Sequence, residues 1–310
     1  MANRRRTEIT EFVQPFVVEP GRSVHLARDF DPGAKHGLLD KQDGKELLRL
    51  GVELLAEYQE RLAAQDTYGV LVVLQALDAA GKDGTIRHVM SGLNPQGVVV
   101  HSFKAPSVEE LDHDYLWRSS QRLPARGQIG IFNRSHYEEV LVVRVHPEFL
   151  ERQHLPEAAR GKDVWKRRYR EINDWERYLT DNGFRIVKMF LNVSKEEQRR
   201  RFMDRLDHPD KNWKFSTGDV LERQRFGDYM DAYEEMICHT ASTDAPWHVV
   251  PADNKWFTRL VVAAVVVDAL ESIKPSFPKL DADKMRELAA AREALEAERG
   301  GKSRTVNKHK

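Results

Sequence analysis

Five short apolar runs punctuate the chain: VLVVLQ (70–75), GVVVHSF (97–103), QIGIFN (128–133), RIVKMFLNV (185–193) and WHVVPA (247–252). Runs of this length, bounded by glycine, proline and polar residues, predict strands. VLVVLQ stays apolar up to its last position, which predicts a strand buried on both faces. The segments between the runs show helical spacing instead. ELLRLGVELLAEYQERLAA (46–64) combines that spacing with strong helix formers. Residues 107–122 predict another helix. DVWKRRYREINDWERYLTDNG (163–183) places Trp165, Tyr169, Ile172 and Leu179 largely on one side and ends at Gly183. A helix follows the last strand. This alternation predicts an α/β fold with a parallel sheet between helical layers.

The ends of the chain read differently. Residues 1–45 predict an irregular N-terminal extension, with turn signals at EPGRS and DPGAKHG. Residues 46–275 form the main domain and 276–310 a C-terminal part. LVVAAVVVDAL (260–270) is the most apolar stretch, but it is too short to span a bilayer. It predicts a buried helix, and 257–270 is a candidate for a subunit interface. KMRELAAAREALEAERGGKSRTVNKHK predicts a solvated helix running into a basic, disordered tail. No internal repeat is visible.

Composition narrows the function. Lys plus Arg and Asp plus Glu both count 49, so no global field favours a polyanion and any anion site must come from local clustering. A single cysteine, Cys238, excludes an intramolecular disulfide framework and a multi-cysteine zinc site. MANRRRTEIT is basic but no apolar signal core follows it. A soluble, cytoplasmic protein is expected, bound neither to membrane nor to nucleic acid. The basic tail 302–310 is short, and no aromatic-rich basic sheet pattern accompanies it.

The chemistry concentrates after the first run. VLVVLQ leads directly into ALDAAGKDGT (76–85), and ligands of parallel sheets bind beyond the carboxyl ends of strands. Gly81 and Gly84 let the backbone approach phosphate oxygens, the next helix directs its free N–H groups there, and Lys82 adds a mobile positive charge. Two departures from an ordinary phosphate loop stand out. Ala76 replaces the first glycine and Asp83 the hydroxyl residue after the lysine. Asp83 reads equally as a helix cap or a magnesium ligand. Asp78 has no capping position, which favours a metal or proton-transfer role.

Two further segments carry candidates. FNRSHYEEV (132–140) brings Asn133 to a strand end, where P-loop enzymes often place an acidic metal-binding residue. Arg134 follows it, aimed at phosphate. SKEEQRRRFMDRLDHPDKNWKFS (194–216) places Arg201 and Arg205 on one helix face. Interleaved Glu196, Glu197, Asp204 and Asp207 allow a second reading, a salt-bridged solvated helix, and spacing leaves the two open.

Taken together these stretches resemble the family-2 polyphosphate kinases over nearly the whole chain. The resemblance rests on VVEPGRSVHLARDFDP, LDAAGKDGTIRHVMSGLNPQGVVVHSFKAPS, HDYLWR, GQIGIFNRSHYEEVLVVRVHP, EEQRRRFMDRLDHPDKNWKFS and APWHVVPADNKWFTRLVV. It implies a three-layer α/β/α P-loop kinase fold, thymidylate-kinase-like, with a helical lid at about 196–228. It implies magnesium-dependent, reversible phosphoryl transfer from inorganic polyphosphate to adenine nucleotides, AMP and ADP, with Mn²⁺ able to substitute. It implies a homo-oligomer, dimer or tetramer. Asp78, Lys82 and Arg134 match the family's catalytic positions, and Asp78 and Asp83 its metal carboxylates. The loop residues Ala79, Ala80, Gly81, Lys82, Asp83, Gly84 and Thr85, with Arg134, Arg201 and Arg205, match phosphate-binding positions. Arg118, Asn133, Ser135, His136, Tyr137 and Glu138 are assigned to the nucleotide, Glu138 to the adenine amino group. Many members carry Asp at the position of Asn133, so a carboxylate role does not transfer there. Two rivals are an ATP-dependent nucleotide kinase of the same fold, which the missing hydroxyl after Lys82 opposes, and a P-loop regulatory module without turnover, which the intact loop and arginine candidates oppose.

Overall fold

The computed structural model describes residues 2–35, 37 and 41–301. The chain divides into two compact units, one ending at Ser276 and the other beginning at Phe277. In the second unit, the helix Ala282–Gly301 exposes its apolar residues Met285, Leu288 and Leu295. The basic tail 302–310 lies outside the described residues, as do His36 of the predicted turn segment and residues 38–40.

Each apolar run becomes a strand: β1 Gly69–Gln75, β2 Val98–Ser102, β3 Ile129–Asn133, β4 Phe184–Asn192 and β5 Trp247–Pro251. They pair in parallel in the order β2-β3-β1-β4-β5. β1 is central, and all seven of its residues are buried, as its unbroken apolarity requires. Helices cover both faces. Val164–Asp181 and Phe226–Thr240 pack against each other, with Lys188 and Phe190 of β4 reaching them through Glu176 and Tyr233. Gly183 follows the first of these in a left-handed conformation (φ 85°) and closes it.

The other layer is built around the helix Lys255–Ile273, which packs on the helices Lys41–Gln65, Lys82–Val89 and Ala2–Val13. Its residues Phe257, Val261, Val262, Val265 and Val266 are all buried. Much of the 257–270 stretch is covered by its own chain, which accounts for its apolarity. Among the described residues no helix is long and apolar enough to cross a membrane.

Two expectations need correction. Residues 1–45 are not irregular throughout: Ala2–Val13 is helical, and Phe12, Phe16 and Phe257 form an edge-to-face cluster. Phe16, Val18 and Leu26 are core residues. The helix expected over 107–122 is two short ones, Val108–Asp112 and Trp117–Ser120. Ser107 and Glu110 form a capping box that starts the first, and extended backbone at His113 ends it. Asp114 then accepts from the Leu116 N–H at 3.0 Å, a local turn that competes with helix continuation.

Candidate active site

β1 and β3 are neighbours, with Leu74 opposite Asn133, so the segments leaving their carboxyl ends meet. The first is the phosphate loop. Ala79 (φ 63°) and Gly81 (φ 107°) both take left-handed backbone. Gly81 does so without penalty, whereas a strained alanine persists only where the surroundings hold it. Gly81 is the N-cap of the helix Lys82–Val89. The first N–H groups of that helix have no partner within it and point their positive end at the loop.

The loop carbonyls are held from behind by side chains. Lys82 Nζ donates to Ala76 O at 2.7 Å and Leu77 O at 3.4 Å. Gln198 Nε2 donates to Asp78 O at 3.0 Å. Arg201 Nη1 donates to Ala79 O at 3.0 Å and Ala80 O at 2.6 Å. Five consecutive carbonyls thus face side-chain donors. Thr85 is buried beneath the loop. Burial, and then Arg134, push the Lys82 ammonium down to about 8, against the pull of Asp78, Glu138 and Asp83.

The second segment follows β3. Arg134 also has left-handed backbone (φ 62°) and donates to Asp78 Oδ1 at 2.6 Å, with Glu138 Oε2 at 3.6 Å on its other side. Glu138 foremost, then Asp78, holds the guanidinium above its ordinary pKa. Burial raises the Glu138 carboxyl, opposed by Arg134 and Lys82. The Gln75 amide spans this group, its nitrogen 2.9 Å from Glu138 Oε1 and its oxygen 2.9 Å from Ser135 Oγ. Ser135 Oγ also caps the Tyr137 N–H at 3.2 Å. Asn133 Nδ2 donates to Asp83 Oδ1 at 2.7 Å, and its Oδ1 is buried without a partner. Asp83 is thus oriented by an amide across the loop rather than by capping.

The cleft between these segments is roofed by the helices Thr217–Gln224 and Phe226–Thr240. Asp78, Arg134 and Glu138 line it together with Gln198, Asp219, Glu222, Arg223, Tyr229 and Tyr233. Its free volume is about 40 Å³, room for a few water molecules.

Several assigned residues lie elsewhere. His136 and Tyr137 turn into the core: Tyr137 donates to Glu176 at 2.7 Å, and Lys188 Nζ lies 2.6 Å from Glu176 Oε2. Neither His136 ring nitrogen has a hydrogen bond, and burial keeps the ring's pKa low. These side chains do not reach the nucleotide cleft. Arg118 packs over the Phe103 ring and donates to Lys104 O at 2.8 Å, in a separate cavity with His113 and Tyr115. Arg201 is not an open lid arginine. It is buried, and besides the two loop carbonyls it donates to Glu197 (2.7 Å), Ala252 O (2.6 Å) and Asp253 O (3.2 Å). All five N–H groups are thereby used. Arg205 lies over Phe202, 3.6 Å from Asp219. The solvated reading holds for its neighbours, since Arg199 and Arg200 pair with Glu196 and Glu197 at the surface.

Asp219, Glu222 and Arg223 escaped sequence reasoning. They fall in a charged stretch without motif spacing, and only the fold brings them over the loop. For a cation, the site offers carboxylate oxygens at Asp78 and Asp83. No cluster of three or more His, Cys, Asp or Glu residues suited to a metal exists among the described residues. This donor set does not form an all-protein cage. It suits a hydrated hard cation that completes its shell with phosphate oxygens.

Comparison with known proteins places the chain in a family. The family model "Polyphosphate kinase 2 (PPK2)" matches residues 38–278. An ADP-polyphosphate phosphotransferase of Rhodopseudomonas palustris is 52% identical over 82% of this chain and 89% of its own length. An AMP/ADP-polyphosphate phosphotransferase of Meiothermus ruber is 44% identical over 86% and 96%. The crystal structure of polyphosphate kinase 2 from Arthrobacter aurescens superposes with a TM-score of 0.81 and 43% identity, covering 90% of this chain and 95% of that one. With a lysine-bearing loop at the carboxyl end of a central parallel strand and a family match over most of its length, the chain belongs to the polyphosphate kinase 2 family.

Proposed function

We propose that this enzyme transfers the terminal phosphoryl group of inorganic polyphosphate to AMP or ADP. The observation that carries the proposal is the convergence of Lys82, Asp78 and Arg134 at the ends of β1 and β3 in a chain of this family. A terminal phosphate oxygen of the nucleotide attacks the end phosphorus of the polymer. The anhydride bond to the next phosphate breaks, and its electron pair stays on the shortened chain. One anhydride replaces another, so the step is close to reversible and its direction follows concentrations.

The residues divide the work. Lys82 and the free N–H groups of its helix hold the transferred group. Arg134, fixed between Asp78 and Glu138, spans donor and acceptor phosphates. Asp78 orients the attacking phosphate. Asp78 and Asp83 would hold Mg²⁺, or Mn²⁺ in its place, and a bound cation would supply positive charge to offset the negative charge developing on the phosphates. Glu138 accepts from the adenine amino group. Because the cleft admits only a few waters, the roof must open for a nucleotide. Gln198 and Arg201 tie the helix Lys195–Asp207 to the loop, which supports Thr217–Gln224 as the moving part of the lid.

The test is product analysis after mixing the protein, Mg²⁺ and polyphosphate with AMP or ADP. ADP and ATP are expected. Transfer between nucleotides alone, with polyphosphate inert, would instead support an ATP-dependent kinase.

A further inference from the structure

One buried cluster of charge takes no direct part in phosphoryl transfer. Glu176 of the helix Val164–Asp181 and Lys188 of β4 are both buried, with Lys188 Nζ 2.6 Å from Glu176 Oε2. Burial raises the Glu176 carboxyl, but Lys188 and His136 outweigh it and keep the group below its ordinary pKa. Stability alone does not call for such a pair, since apolar residues of similar volume often do as well or better in its place. Its other partners point to a different role. Lys188 Nζ also donates to Tyr137 Oη at 2.9 Å and to the Thr240 carbonyl at 2.7 Å, and Tyr137 Oη donates to Glu176 Oε1 at 2.7 Å. All three ammonium donors are thereby used. Trp247 Nε1 donates to Thr240 Oγ1 at 2.9 Å, and its ring meets that of Tyr137 edge to face.

The two groups that Lys188 holds belong to two walls of the cleft. Tyr137 sits in the 3₁₀ turn His136–Val140, directly before Glu138 and shortly after Arg134. Thr240 ends the helix Phe226–Thr240, whose Tyr229 and Tyr233 line the cleft from above. Neighbouring side chains on a tight turn diverge, so Tyr137 held in the core leaves Glu138 facing the cleft.

We infer that the Lys188–Glu176 pair is a positioning device: it clamps the Tyr137 hydroxyl to the end of the roof helix and so sets the place of Glu138 against the bound nucleotide. The inference rests on the proposed reading of the base by Glu138. A buried ion pair suits this task because separating its partners is costly, whereas apolar contact has no preferred direction and tolerates sliding.

Two variants test it. Tyr137→Phe removes one hydroxyl and leaves the ion pair in place. The triple variant Tyr137→Phe/Glu176→Leu/Lys188→Met replaces the polar group by apolar residues, which costs little stability when the partners go together, and a melting curve checks that it folds. Each is titrated calorimetrically with ADP, which needs no polyphosphate, and assayed for kcat/KM with ADP and GDP and for the KM of polyphosphate. In the triple variant the Kd for ADP should rise about tenfold and the ADP-over-GDP ratio should fall by as much, the equivalent of one well-placed hydrogen bond. Tyr137→Phe should shift both the same way by less. KM for polyphosphate should move little, because Lys82, Gln198 and Arg201 hold the phosphate loop independently. Wild-type ADP affinity and ratio in the folded variants, or equal losses for ADP and polyphosphate, overturn the positioning role. If Glu138→Gln keeps the ratio as well, the base reading fails and the positioning role with it. A wild-type protein that binds ADP but ignores polyphosphate overturns the proposed function instead.

Discussion

Arg201 donates to the carbonyl oxygen of Ala80 at 2.6 Å from behind the phosphate loop. Its remaining donors reach Ala79, Ala252, Asp253 and Glu197, so one guanidinium joins the loop, the segment after β5 and its own helix. Drawing carbonyls to the rear leaves amide N–H groups free to face the substrate. Arg201 thus holds the loop from behind, and the carbonyl it binds at Ala79 belongs to a residue with left-handed backbone.

Arg201→Ala should cost both stability and turnover. Several buried carbonyls lose their side-chain donor, while Glu197 keeps Arg200, and one unsatisfied buried group costs about 1–3 kcal/mol. A lower melting temperature and a kcat decrease shared by long and short polyphosphates are expected. Arg201→Lys keeps the charge but not the fork, so it should rescue little. Normal stability with a loss confined to polyphosphate KM would return Arg201 to direct phosphate contact.

Lys82 sets a pH limb. With its pKa brought down to about 8 by burial and Arg134, the free enzyme loses the loop charge as pH rises, so kcat/KM should fall through about pH 8. Bound phosphate restores the charge, so the limb in kcat should lie higher. Lys82→Arg should be poorly active and lack the limb, since arginine does not titrate there. For folding the sign reverses. The unfolded chain holds this proton up to about 10.4, so stability contributed by Lys82 rises with pH between about 8 and 10 and is lost below that window. A flat kcat/KM profile from pH 7 to 9 contradicts the assignment.

Asp78→Asn and Asp83→Asn should separate. Asp78 lines the cleft and carries the Arg134 ion pair, whereas Asp83 is exposed and faces the Asn133 amide. Titrating Mg²⁺ against rate should show a larger kcat loss for Asp78→Asn and mainly a weaker Mg²⁺ dependence for Asp83→Asn. Mild, equal effects would leave both with structural roles only.

Glu138→Gln addresses the base. A carboxylate accepts from the adenine amino group and repels the guanine carbonyl, while an amide permits either. The kcat/KM ratio for ADP over GDP should fall, by about tenfold for one discriminating hydrogen bond. An unchanged ratio means that another residue reads the base.

Much of this was legible in sequence because it depends on local order. The five apolar runs determined the strands: a segment buried on both sides of a sheet, as β1 and β3 are, must be apolar whatever surrounds it, and the edge strand β2, only partly buried, was legible from its β-branched run instead. ALDAAGKDGT determined the loop, since close phosphate approach needs glycine and charge at fixed chain spacing. Tertiary structure decided the rest. Within FNRSHYEEV, Glu138 faces the cleft while His136 and Tyr137 face the core, because Glu176 and Lys188, some 40 and 50 positions further on, await them there. The helix of residues 2–13 is stabilised by Phe257, a contact invisible to any local window. Arg201 carried the right charge at the right helical spacing for a lid, yet its partners are mostly main-chain carbonyls. Every residue has a carbonyl, so such partners leave no signature in the sequence, and only the folded chain shows where they point.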